Sequence, residues 1–138
     1  PAKLSDADNA DREIGITPPM GESILRVLEI PPETERSAEQ TEKLIETMMR
    51  EQSENPQPGI NRVPTARAVG MHRTESVDYG LVLEGEIDLM LDDSETHLTA
   101  GDIVVMQGTY HSWANRSGKT CMMAFILISA EVPWKDAG

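Results

Sequence analysis

Apolar and polar residues alternate at a period of two through most of the chain beyond residue 66, and that period predicts strands. The cleanest case is 86–91, where Ile87, Leu89 and Leu91 share one face and Glu86, Asp88 and Met90 the other. Further strands are predicted at 67–72, 79–84 (ended by Gly85), 96–98, Ile103–Gln107, 111–115 and 120–129. Turn signals separate them: Asp92-Asp93-Ser94, Ala100-Gly101-Asp102, Gly108-Thr109-Tyr110 and Arg116-Ser117-Gly118-Lys119. Short strands spaced by turns at roughly ten residues are the mark of a β-sandwich or barrel. The run Ile103–Gln107 is apolar enough to be covered on both faces.

Before residue 67 the pattern is mixed. Residues 1–22 read as an extended arm, because Thr17-Pro18-Pro19-Met20-Gly21 suits neither a helix nor a central strand. Ser23–Ile30 predicts a strand covered on both sides, with Ile24, Arg26, Leu28 and Ile30 on one face and Leu25 and Val27 on the other. Pro31-Pro32 stops it. Ser37-Ala38-Glu39-Gln40 has the form of a capping box, and Leu44, Ile45, Met48 and Met49 make an apolar stripe, so a short amphipathic helix is expected near 37–51. Residues 51–66, holding Asn55-Pro56-Gln57-Pro58-Gly59, read as a loop. The expected organisation is an arm at 1–22, a strand, helix and loop at 23–66 packed on the barrel, and a barrel core at 67–138.

Composition narrows the class. With 138 residues, 38% hydrophobic and 26% charged, the chain is long enough for one domain with a real core. The net charge of −12, spread over both halves, repels phosphate backbones and anionic lipid, so neither nucleic acid nor a membrane is an expected partner. The single cysteine, Cys121, has no internal disulfide partner and sits in an apolar run where it serves as a small hydrophobe. That run, 121–128, is too short to span a bilayer, and residues 1–8 lack an apolar signal segment, so a cytoplasmic location is expected.

The candidate chemistry follows from the same alternation. His72 and Thr74 point one way, and His111, Trp113 and Asn115 share a face of a later strand. With Asp78 at the start of another strand, a closed sheet gathers His72, Thr74, Asp78 and His111 inside, and Gly80 leaves space beside them. Two imidazoles and a carboxylate match the facial set used for Fe(II), which equally accepts Mn, Ni or Zn. The same residues serve as well in a metal-free polar pocket, where a histidine paired with Asp78 acts as general base or acid. Tyr110 is a candidate for the pocket rim, and Trp113 for its wall or for the core. Arg73 is expected on the outside, His97 exposed, and Asn115 in a turn.

These residues resemble the cupin family. Its first motif, G-x5-H-x-H-x3–4-E-x6-G, is matched in spacing by His72-Arg73-Thr74, Asp78 and Gly85, with Thr74 where the second histidine stands and Asp78 where the glutamate stands. Its second, G-x5-P-x-G-x2-H-x3-N, is matched by Gly101, Gly108, His111 and Asn115, with Gln107 in the proline's place. In detail the stretch looks like small single-domain cupins carrying H-R-T-x-S-V-D-Y-G, and the likeness runs over 69–130. It implies an all-β, jelly-roll double-stranded β-helix barrel with an N-terminal extended arm and one short helix. It also implies a divalent metal at His72, Asp78 and His111 in many members, and a homodimer. The expected function is a small-molecule enzyme on an oxygenated organic acid or ketone, of dioxygenase, decarboxylase or isomerase type. A metal-free lyase or dehydratase using a His–Asp pair, or a ligand-binding protein without activity, stands beside it.

Overall fold

The computed structural model describes residues 13–133 together with Leu4, Asp6, Asp8 and Asp11; the rest of the expected arm and residues 134–138 lie outside the described residues. Among the described residues nine strands and one helix follow in the order β1 (Ser23–Ile30), α1 (Ala38–Glu54), β2 (Ile60–Arg62), β3 (His72–Thr74), β4 (Ser76–Glu84), β5 (Glu86–Met90), β6 (Glu95–Thr99), β7 (Ile103–Gln107), β8 (Ser112–Ala114) and β9 (Cys121–Ser129). All the pairings are antiparallel. One sheet has the order β1-β9-β4-β7, a second β6-β5-β8, and β2-β3 form a third. This is the expected mostly-β jelly-roll architecture. Among the described residues no helix is long and apolar enough to cross a membrane.

The two larger sheets face each other across the main core. β4 and β9 contribute Val82, Cys121, Met123, Phe125 and Leu127, while Ile87, Leu89 and Leu98 come from β5 and β6. Burial pushes the Cys121 thiol's pKa up, as suits a hydrophobe rather than a nucleophile. Gly85 carries the chain between layers at φ 83°, where a side-chain β-carbon would come within 3.1 Å of the Thr120 carbonyl oxygen.

Ser37 caps α1 as the sequence predicts: its hydroxyl accepts from the Gln40 amide, and the Gln40 side chain accepts from the Ser37 amide. The helix runs on to Glu54, and β2 follows, so 51–66 is not the plain loop expected. Gln52 makes β2 possible by bonding both backbone groups of Arg62. The strand expected at 67–72 starts only at His72, because Thr65, Ala68 and Met71 are joined by successive tight turns. β1 and β7 are not covered on both sides. Leu25, Val27, Ile103 and Val105 are exposed, since among the described residues no second layer lies on the outer face of their sheet.

Candidate functional site

Alternation along β3 and β4 places His72, Thr74, Ser76 and Asp78 on one side, and the backbone does the rest. His72 and His111 exchange both amide–carbonyl hydrogen bonds, at 2.9 and 2.8 Å, in an isolated antiparallel bridge. That bridge brings the two imidazoles together, with ring centroids 4.5 Å apart. They line a cavity of about 150 Å³ with Thr74, Asp78 and Trp113, and with Phe125 and Leu127 of β9. Trp113 meets His111 and Phe125 edge-on, at 6.1 and 5.4 Å between ring centres. A roomier groove of about 500 Å³ between α1 and β2 lies away from both imidazoles, and its Gln52 and Arg62 already bond each other.

The tautomers follow from the partners. Nδ1 of His72 lies 2.7 Å from the Gly70 carbonyl oxygen, and Nδ1 of His111 lies 2.8 Å from that of Thr109. A carbonyl oxygen only accepts, so each Nδ1 carries the proton and each Nε2 keeps a lone pair. Burial, followed by the neighbouring His111, lowers the His72 pKa to about 4, and burial lowers that of His111 as well. Both rings are therefore neutral at pH 7. Asp78 acts on each in the opposite direction, favouring the imidazolium.

Asp78 is buried, and its two carboxyl oxygens accept from the hydroxyls of Thr74 (2.6 Å) and Ser76 (2.5 Å). Among the described residues no group of three or more histidine, cysteine, aspartate or glutamate side chains is arranged to hold a metal ion. The two imidazoles suit a metal, but the carboxyl is directed at hydroxyls instead, so His72, Asp78 and His111 as placed do not make a three-donor site.

Gly80 sits opposite Val104 and Phe125, and an added β-carbon would come within 3.4 Å of the Trp113 ring, so its bareness makes room for the indole. Tyr110 stands apart from the cavity. Alternation turns it away from His111, and it takes Arg73 over its ring at 4.7 Å while accepting a hydrogen bond from Asn61. His97 is exposed on β6 and pairs with Asp88 and Glu86. Asn115 is wholly buried and closes the turn before Lys119.

Sequence reasoning missed Ser76, Arg26 and Phe125. Ser76 could have been found, since it falls between Thr74 and Asp78 at the same period of two. Arg26 is a cation on the inward face of β1, between Ile24 and Leu28. It is half-buried at the cavity wall, with its guanidinium donating to the Gly15 carbonyl oxygen at 2.6 Å. Among the described residues no ion pair involves it. Nothing local announces Phe125 as a neighbour of Trp113.

The lowered His72 pKa has a stability consequence. Between pH 6.5 and 4 the unfolded chain binds a proton at His72 that the folded chain refuses, so stability falls as pH drops through that window. The expected loss is about 3 kcal/mol from this group. Urea unfolding at pH 7.5 and 4.5 should show it, and a His72→Asn chain should lose less. An equal loss in both chains would place the proton elsewhere.

The cupin domain model matches residues 60–128. Phomopsin biosynthesis cluster protein C' of Diaporthe leptostromiformis is 46% identical over 81 residues, covering 55% of this chain and 43% of that protein. The cupin-domain-containing oxidoreductase virC of Hypocrea virens is 45% identical over 49 residues, covering 35% and 25%. The chain thus spans less than half the length of these curated relatives. Among solved structures, the Schizosaccharomyces pombe Cnp3 cupin domain matches with a TM-score of 0.51 at 10% identity, over 91% of this chain and 69% of that one, a likeness of fold alone.

Proposed function

This chain belongs to the cupin family, and from that premise we propose that it is a small-molecule enzyme that removes a proton from carbon in an oxygenated organic acid or ketone. The observation carrying this reading is the pair of neutral imidazoles that line a small, largely apolar cavity, each with its Nδ1 tied to a backbone carbonyl oxygen and its Nε2 unprotonated. A base with a pKa of about 4 takes a proton only from an activated carbon, which confines the substrate to one with a carbonyl next to the C–H bond. The proton moves to Nε2 of one histidine, and the electron pair of the C–H bond passes into the carbonyl to form an enolate. Asp78 favours the imidazolium that results. Where a C=C bond is conjugated with the enolate, return of the proton to its far carbon completes an isomerisation; where the β-carbon bears a leaving group, collapse of the enolate to a C=C bond expels that group with its bonding pair and completes a lyase or dehydratase reaction.

Arg26 supports an acid over a plain ketone. It is a guanidinium without a carboxylate partner among the described residues, in a chain of net charge −12. A substrate carboxylate at Arg26 would leave the carbonyl end to the imidazoles. Arg26→Gln is expected to raise KM for a keto acid about 10–100-fold, the worth of one charge-assisted hydrogen bond, and to leave its methyl ester little changed. An equal loss for acid and ester would remove Arg26 from substrate binding.

A second reading, an oxidoreductase, is favoured by relatives such as virC of Hypocrea virens, a cupin-domain-containing oxidoreductase. Both Asp78 oxygens are engaged by the Thr74 and Ser76 hydroxyls, and the proton transfer proposed above uses the protein's own groups. Solvent-deuterium exchange into a panel of keto acids and ketones, followed by NMR with and without EDTA, separates the readings. Exchange that persists in EDTA supports proton abstraction by the protein's own groups. Exchange no faster than in buffer, or abolished by EDTA, sinks that reading.

A further inference from the structure

Ahead of β1 a segment outside any strand or helix, residues 13–19, runs between Pro58 and the imidazole cavity. From this segment Ile16 enters the cavity wall, half-buried, where it joins Arg26 and Leu28 of β1. Among the described residues two hydrogen bonds tie 13–18 to the rest of the chain. The Arg26 guanidinium donates to the Gly15 carbonyl oxygen at 2.6 Å, and the Thr17 hydroxyl donates to that of Pro58 at 2.7 Å. These two ties flank Ile16 in sequence and so hold it at the cavity. Thr17 sits close against Gly59, where an added β-carbon would come within 2.7 Å of its hydroxyl oxygen. Pro18 and Pro19 stiffen the chain that follows. The Gly21 amide then anchors it by donating to the Ser129 hydroxyl at 2.7 Å. Ile16 is therefore carried on a tethered strap rather than on a strand. A segment with so few ties opens more readily than the sheets around it. A space of about 530 Å³ bounded by the segment, Ile24, Gln57 and Pro58 leaves it room to move.

We propose that Ile16 sets the size limit of the substrate, and that the substrate is a short oxo acid clasped between this segment and β1. The proposal deepens, and rests on, the reading of Arg26 and the imidazoles given above. Volume sets the class. A cavity of about 150 Å³ takes a molecule of about six non-hydrogen atoms, the size of benzene. An oxo acid of about three to five carbons matches that space, and a longer chain meets Ile16. The guanidinium supplies the second constraint. It has several N–H donors and gives Gly15 a hydrogen bond from one nitrogen, so others remain for a carboxylate while the strap stays closed. The acid end is then fixed at Arg26, and Ile16 lies over the apolar remainder.

Carbethoxylation of the cavity histidines by diethyl pyrocarbonate, read residue by residue by mass spectrometry near neutral pH, tests this. His97, which is exposed, serves as the internal reference. Straight-chain 2-oxo acids of rising length are the competitors. In the wild-type chain, acids of about three to five carbons should protect His72 and His111, and one of about seven carbons should not. Ile16→Ala should lower the half-protecting concentration of the seven-carbon acid at least about tenfold, as each methylene accommodated in an apolar pocket does. It should leave that of the three-carbon acid little changed. Thr17→Val keeps the cavity lining and removes one tie, so labelling of both histidines without competitor should rise severalfold relative to His97. Neither position belongs to the packed core, so both variants should fold. Protection by no acid, a length preference unchanged in Ile16→Ala, or labelling unchanged in Thr17→Val overturns the proposal. Labelling needs no turnover: absence of proton exchange would sink the enzyme reading, while protection by short acids alone would still uphold the limit set by Ile16.

Discussion

His111→Ala is expected to lower the rate of proton abstraction about 10²–10⁴-fold, the usual worth of a positioned general base. His72→Ala should cost as much if both rings serve, and the double variant should cost little more than either single one, because groups that act as a unit are not additive. Neither change removes the backbone bridge between the two positions, so the fold should hold and the loss should fall on chemistry. The pH profile supplies an independent readout. A base must be neutral to act, so kcat/KM in the wild-type chain should be flat near pH 7 and fall as pH drops toward about 4. Stopped-flow or NMR exchange across pH 3.5–8 with a reactive keto acid would measure it. Activity that survives in both alanine variants would remove the imidazoles from the reaction and leave the cavity as a binding site only.

Asn115→Ala is expected to destabilise the fold by about 4 kcal/mol, the largest effect of any single change away from the cavity. The side chain has no exposed surface. Its amide nitrogen donates to the carbonyl oxygens of Ile30 and Lys119, and its amide oxygen accepts from the backbone amide and hydroxyl of Ser117. Alanine would strip Ile30, Ser117 and Lys119 of these part-buried bonds, and each group left without a partner costs about 1–3 kcal/mol. The consequence reaches the site, because Ile30 ends β1, the strand that holds Arg26 at the cavity. Chemical denaturation would measure the change. A loss under 1 kcal/mol would mean that water replaces the amide at little cost.

These two changes separate chemistry from scaffold, and the two faces of one sheet do the same. Along β4, Ser76, Asp78, Gly80 and Val82 face the interior, while Val77, Tyr79 and Leu81 face out. A strand has only two sides, so a one-residue slip would exchange the polar cluster for the apolar patch. The hydroxyls that hold Asp78 also help to set this register, since they bond it only when 74, 76 and 78 point together.

Much of this was legible in the residues. The period of two beyond residue 66, with glycine and aspartate turns between, determined the strands and which side chains share a face. The spacing of His72, Asp78 and His111 marked the candidate site, and Ser37 with Gln40 marked the helix start. These are local matters, decided by backbone geometry within a few residues. Three things depended on the assembled chain. Whether β1 and β7 are covered on one side or both is decided by which sheet lies opposite, not by their own apolar residues. The engagement of the Asp78 carboxyl by Thr74 and Ser76 is a competition among nearby partners that residue spacing does not resolve. The meeting of Arg26 with a cavity built from residues 72–127 needs the pairing of β1 with β9, a contact across about a hundred positions whose register only the packed core selects.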